Sequence, residues 1–204
     1  IPPTPFGLWI SSHHGCPAEM GKLKSLARFR DTLIELELWG DFRANKELNE
    51  LQAFRKLRSL GLCSTELWGH TLVPYIQDLP ELESLRVDEL KFTIDEARLL
   101  SQLRQLKHLS LAVYDSATPE ALDCLAGFSH LKSLSLYLNK PFPELSECLS
   151  RLESLSHFEV NNSKLPEGVF RSLGNLPQVE ELKLINANLM DKDLQDLSQA
   201  PTLA

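Results

Sequence analysis

No segment of this 204-residue chain approaches the roughly 18 consecutive apolar residues that a membrane-spanning helix needs, so bilayer insertion is not expected. Cysteine is scarce. The four residues Cys16, Cys63, Cys124 and Cys148 lack the close pairing of a disulfide-stapled cap. They read as free thiols acting as small buried hydrophobes, although Cys124 and Cys148 fall at nearly equivalent helix positions and could approach each other. Positive charge is in deficit, with 21 Lys and Arg against 28 Asp and Glu and a net charge of -7. Nucleic acid is therefore excluded as the main partner, because phosphate binding needs clustered cations. The one basic run, Lys22, Lys24, Arg28 and Arg30, reads as a solvated helix face. Also missing are a phosphate-binding glycine loop, a nucleophile elbow and carboxylates paired at a defined spacing. No catalytic residue and no cofactor is expected. His13-His14-Gly15-Cys16 is the only cluster with metal-ligand chemistry. A structural zinc site wants four ligands and the next cysteine is Cys63, so an ordinary turn is expected and no metal. Free thiols favour a cytoplasmic setting. The sequon Asn161-Asn162-Ser163 points the other way, but so short a pattern arises readily by chance.

Leucine, by contrast, is abundant at 42 residues. The phrase Leu-x-x-Leu-x-Leu begins at Leu33, Leu57, Leu82, Leu106, Leu131, Leu155, Val179 and Leu203, with gaps of 24, 25, 24, 25, 24, 24 and 24 residues. So steady a period marks a repeat array. Inside each copy, alternation such as Leu134-Ser135-Leu136 has the period of a half-buried strand. Between copies the period changes to that of a helix: Leu122, Leu125, Phe128 and Leu131 share one face, as do Leu194, Leu197, Ala200 and Leu203. Thr118-Pro119 offers an N-cap followed by proline in the first turn, and Asp95 and Asp191 are further candidate caps. The unit is thus a short strand, a turn, a helix of about two to three turns and a return, since paired helices would need about 34 to 47 residues per repeat.

The copies, among them LIELELWGDFR from Leu33, LKSLSLYLNKP from Leu131 and VEELKLINANL from Val179, resemble the leucine-rich repeat, whose frame is L-x-x-L-x-L-x-x-N-x-L. The resemblance spans residues 33–204, with seven frames in register. It implies an α/β fold, a right-handed leucine-rich-repeat solenoid or horseshoe with parallel strands on the concave face and helices on the convex face. Residues 1–32 read as an irregular cap or divergent repeat, with a weak further copy at Pro5, Leu8 and Ile10. Residues 33–204 hold seven full repeats and the start of an eighth. The family's Asn slot holds Asp41, Thr65, Leu90, Tyr114, Asn139, Ser163 and Ala187, so only Asn139 keeps the family residue. Solenoids need polar end caps. A chain that opens with Ile and stops one residue into a frame therefore reads as part of something longer.

Function should reside in the positions the frame leaves free. Alternate strand residues point away from the core and would line the concave face. Among them Trp39, Glu37, Arg86, Asp88, His108, Tyr137 and Glu159 are the candidate partner-binding residues. Trp39 and Tyr137 are large aromatics of the kind that dominate binding hot spots, although scattered surface aromatics are ordinary. The reading is a non-catalytic scaffold for an unnamed protein partner. Alternatives are a sensing or autoinhibitory segment of an intracellular immune receptor or ubiquitin-ligase adaptor, and a fragment of an enzyme whose catalytic part lies elsewhere. The strand edge at 182–184, with Leu194 and Leu197 behind it, is expected to be covered by further repeats or by self-association.

Overall fold

The structure, a computed structural model, describes residues 4–11, 21–39, 45–63, 72–88, 93–113, 118–161 and 165–198. The chain divides into two compact units, Ile1–Leu90 and Lys91–Ala204.

The first unit carries four parallel strands, β1 (Phe6–Ser11), β2 (Leu33–Trp39), β3 (Ser59–Cys63) and β4 (Ser84–Val87), each paired with the next in chain order. The register repeats the sequence frame: Leu36 lies opposite Leu60, and Leu60 opposite Leu85. Strand residues of the Leu-x-Leu core point inward and are buried, as Leu36, Leu38, Leu60, Leu62, Leu85 and Val87 are. Between strands lie α1 (Gly21–Ser25), which runs into a 3-10 turn at Leu26–Phe29, a 3-10 segment at Asn45–Ala53, and α2 (Val73–Ile76). These returns bury Leu23, Leu48, Leu51, Phe54, Leu72, Val73, Ile76 and Leu79 against the strands.

The second unit repeats the plan with β5 (His108–Val113), β6 (Ser133–Leu138), β7 (His157–Asn161) and β8 (Glu181–Ile185), again parallel and in chain order. Its returns are α3 (Ile94–Leu100), α4 (Pro119–Asp123) continuing into a 3-10 turn at Cys124–Gly127, α5 (Leu145–Ser150), α6 (Val169–Gly174) and α7 (Asp191–Leu197). Leu109, Leu111, Leu134 and Leu136 are 0–2 % exposed, as the alternation requires. Burying one such leucine contributes about 1.5–3 kcal/mol, and a stack of them in register makes one continuous core per unit.

One backbone device recurs at the frame leucines. The N–H of Leu57, Leu82, Leu106, Leu131 and Leu155 donates to the carbonyl three residues earlier, on Phe54, Leu79, Leu103, Phe128 and Leu152, at 2.9–3.3 Å. The next two N–H groups then reach the preceding repeat: Lys132 and Ser133 both donate to the Lys107 carbonyl, and Ser156 and His157 to that of Lys132. A tight turn thus delivers each strand into register with its neighbour. Gly168, at φ 87, takes the left-handed conformation needed at the start of α6, where a side chain would be strained.

Several expectations need correction. The helices run four to seven residues, not two to three full turns. Much of the return is 3-10 helix or turn, which covers more distance per residue and fits a 24–25-residue period. Thr118 caps α4 as read, its side chain accepting from the Ala121 N–H. Asp95 and Asp191 do not cap; they lie in the first turns of α3 and α7. Thr93 caps α3, and at α7 the Met190 N–H donates to Asp193 Oδ2 at 2.8 Å. Leu122, Leu125, Phe128 and Leu131 are buried together, but Leu194 is 54 % exposed and Leu197 half-buried. Cys63 and Cys148 are buried free thiols, whereas Cys124 is only half-buried. Cys16, with His13 and His14, lies outside the described residues, as do Asp41, Thr65, Leu90, Tyr114, Ser163, Ala200 and Leu203. Among the described residues no helix is long and apolar enough to cross a membrane.

Candidate functional site

Parallel pairing in register stacks equivalent outward residues into columns across the strand face. In the first unit one column runs Gly7, Glu35, Ser59, Ser84 and the next Trp9, Glu37, Gly61, Arg86. Trp39 and Cys63 form the third, and the Asp88 N–H continues the ladder by donating to the Leu62 carbonyl at 2.9 Å.

Four of the seven candidate residues meet here. Arg86 Nη2 lies 3.1 Å from Asp88 Oδ2 and Arg86 Nη1 lies 3.7 Å from Glu37 Oε1. The guanidinium sits 5.6 Å from the centre of the Trp39 ring, within cation–π range. The Cys63 thiol points at Glu37 Oε1 at 3.7 Å. Glu37 and Arg86 are two strands apart, and their contact depends on the residue between them. Gly61 has no side chain, and a Cβ there would fall 2.8 Å from Glu37 Cγ. The glycine leaves the column open, so Glu37 can lie across it toward Arg86.

The electrostatics follow from this packing. Burial works against the charge on Arg86, but the hydrogen bond and charge of Asp88 outweigh it and hold the guanidinium above its ordinary value. Burial, helped by the Asp88 carboxylate, pushes the Cys63 thiol up to about 12. Burial does the same at Cys148, also to about 12. Neither sulfur is a thiolate at neutral pH, so neither is an activated nucleophile.

A fifth participant, Trp9, was not singled out from the sequence. Its ring packs against Trp39 at 6.0 Å between centroids, tilted by 51°, and the residue is 67 % exposed. The signal was present: if Leu8 and Ile10 occupy the inward slots of a weak copy, Trp9 between them points outward. Trp39 itself is half-buried between Trp9 and Arg86, so it contributes to packing as well as to surface.

The other three candidates sit in the second unit and in three different columns. His108 lies opposite Ser133, Tyr137 between Ala112 and Asn161, and Glu159 between Ser135 and Lys183. Ion pairs on this face run along its edge, from Glu181 to Lys183 at 3.2 Å and to His157 at 3.5 Å. Behind the strands an open hollow of about 370 Å³ is lined by Ser101, Gln102, Arg104, Gly127, Ser129 and His130 among others. It is a gap between successive turns with mostly polar walls, not an enclosed ligand pocket. Among the described residues no group of three or more His, Cys, Asp or Glu is arranged to hold a metal ion.

The sequence matches no protein-family profile and no curated protein. Among solved structures, it is similar to an internalin C2 from Listeria monocytogenes at 20 % identity and a TM-score of 0.50, over 78 % of this chain and 65 % of that one. Others are a second Listeria internalin (17 % identity, TM-score 0.33, 86 % and 68 % covered) and the plant peptide hormone receptor RGFR1 in complex with RGF2 (18 %, 0.48, 88 % and 32 %). At such identities the likeness is one of fold. The chain spans just under two thirds of the internalin C2 and about a third of the plant receptor.

Proposed function

We propose that this chain, which has the leucine-rich-repeat fold, is a non-catalytic recognition scaffold that binds a protein partner through its strand face. The observation that carries the reading is the Trp9–Trp39 pair on the first unit's face, backed by Arg86, Glu37 and Asp88. An indole left 67 % exposed and packed on a second indole is apolar surface that a partner can cover. Tryptophan and arginine are also the residues most enriched at interface hot spots. Ion pairing behind Trp39 fixes the platform, so little ordering entropy remains to be lost on binding. Tyr137, His108 and Glu159 are the candidates on the second unit's own strand face. The free thiols Cys63, Cys124 and Cys148 favour a reducing, cytoplasmic compartment.

The test is affinity capture from an extract of the source organism, followed by titration of the captured partner against Trp9→Ala and Trp39→Ala. Each should weaken binding by about 1–3 kcal/mol while the fold is retained. Binding untouched by both variants, and lost instead on charge reversal of the return segments, would move the site to the opposite face.

A further inference from the structure

We infer that the partner segment recognised by the first unit presents an arginine side chain, which stacks on Trp9 and pairs with Glu35. The inference deepens the strand-face reading above and rests on it. Its basis is a comparison within one face. Beside Trp39 the protein supplies its own guanidinium: Arg86 lies 5.6 Å from the ring and is held by the carboxylates of Asp88 and Glu37. Beside Trp9 the same two ingredients occur, and among the described residues no cation stacks on its ring. The Glu35 carboxylate lies over Gly7, with Oε2 3.0 Å from where a Cβ on Gly7 would be. Gly7 is two residues from Trp9 on the same face of β1, so the Glu35 carboxylate, reaching across from β2, lies over a position about 7 Å along the strand from that of the indole. Both are exposed, and among the described residues no Lys or Arg forms an ion pair with Glu35. The absent side chain at Gly7 lets the Glu35 side chain lie across β1, as Gly61 lets Glu37 lie across β3, and Glu35 is exposed there to a ligand group.

A cation over an indole is attracted by the ring's electron-rich face, and a planar guanidinium can stack there while donating to a carboxylate. Arginine matches this pair better than lysine, whose ammonium is compact and strongly hydrated. The charge balance agrees. Among the described residues of this unit's strand face, Glu35, Glu37 and Asp88 face outward against one cation, Arg86, so this surface repels an acidic segment and attracts a basic one.

The experiment uses the whole chain and two small probes, acetyl-Gly-Arg-Gly-amide and the same peptide with citrulline, which keeps the shape but lacks the charge. Titration is followed by the indole N–H resonances, assigned with Trp9→Phe and Trp39→Phe. The arginine probe should shift the Trp9 resonance saturably, with affinity about ten-fold above that of citrulline. Glu35→Gln, an isosteric change at an exposed position, should weaken the arginine probe about 2- to 5-fold and leave the citrulline probe unchanged. Equal shifts from both probes, or an arginine response indifferent to Glu35→Gln, would overturn the inference. The two readings then separate cleanly on the captured partner. Binding sensitive to Trp9→Ala but indifferent to Glu35→Gln ends the arginine assignment and leaves the strand-face site standing. Binding indifferent to Trp9→Ala and Trp39→Ala ends both.

Discussion

The two units share a scaffold and differ in what they do with it. In each, parallel strands present the same inward ladder of leucines and the same outward columns. On the first unit's face the outward residues interlock: two indoles, a guanidinium and two carboxylates meet across four strands, with Gly61 clearing the space between Glu37 and Arg86. On the second unit's face Ser110, Ser135 and Ala112 keep the surface low, and Tyr137 stands between a small residue and Asn161. The frame therefore decides the fold, and only the unconstrained positions decide the chemistry. Equal scaffolds do not imply equal surfaces.

The largest expected effect tests whether the scaffolds are indeed equal. Leu60→Ala in the first unit and Leu134→Ala in the second should each cost about 2–5 kcal/mol by leaving a cavity. Chemical denaturation measures both. A loss in one unit alone would show that the two ladders are not built alike. Next comes the contrast between faces. Trp39→Ala removes an aromatic stack and a cation–π contact and should cost about 1–2 kcal/mol of stability. Tyr137→Ala, with neither contact, should cost less. Equal costs would mean that the clustering around Trp39 is energetically idle.

A smaller effect is expected at Gly61. Gly61→Ala places a methyl against Glu37 and should displace its carboxylate from Arg86, costing up to about 1 kcal/mol, the value of one partly exposed pair. A double-mutant cycle with Glu37→Gln is the check: the two changes should be non-additive, because both break the same contact. The comparable change Ser135→Ala in the second unit should show no coupling to Glu159. Smallest is a pH effect that the units share. The hydrogen bond from Lys56 holds Glu81 below its ordinary carboxylate value, and the hydrogen bond from Lys192 does the same for Glu167. A lowered folded pKa stabilises above the unfolded value, near 4.5, and that stabilisation fades as pH falls through the folded one. Glu81→Gln and Glu167→Gln should therefore lower Tm slightly at pH 7 and have no effect at acid pH. A difference that persists below pH 3 would assign it to something other than these ion pairs.

How far the sequence was legible follows from the same division. Strand positions could be read residue by residue, because a 24–25-residue period in leucine fixes which side chains face inward. The return segments were read as too helical, since threefold spacing of Leu122, Leu125 and Phe128 is satisfied by 3-10 turns as well as by an α-helix. Thr93 and the Met190–Asp193 bond were missed as helix starts because an aspartate one or two residues past the true N-cap, as Asp191 and Asp95 are, looks like a cap itself. At the face, the columns of Glu37, Arg86 and Trp39 were legible. Their meeting was not, because it depends on the length of Arg86 and the emptiness of Gly61, which no spacing rule encodes. Trp9 was overlooked for a different reason: its copy of the frame is too weak to set its direction until β1 is seen to pair with β2. Ile185 at the end of β8, Leu189 and Met190 after it and Leu194 on α7 are exposed apolar residues. Self-association there remains a proposal, to be judged by sedimentation with Leu194→Glu.

The central claim is that recognition belongs to the first unit's interlocked face. Titration of the captured protein partner against Trp9→Ala and Tyr137→Ala tests it most directly. The account predicts that Trp9→Ala lowers affinity about 5- to 150-fold with Tm nearly unchanged, while Tyr137→Ala lowers it less. Full affinity in Trp9→Ala, or a larger loss in Tyr137→Ala, would contradict it.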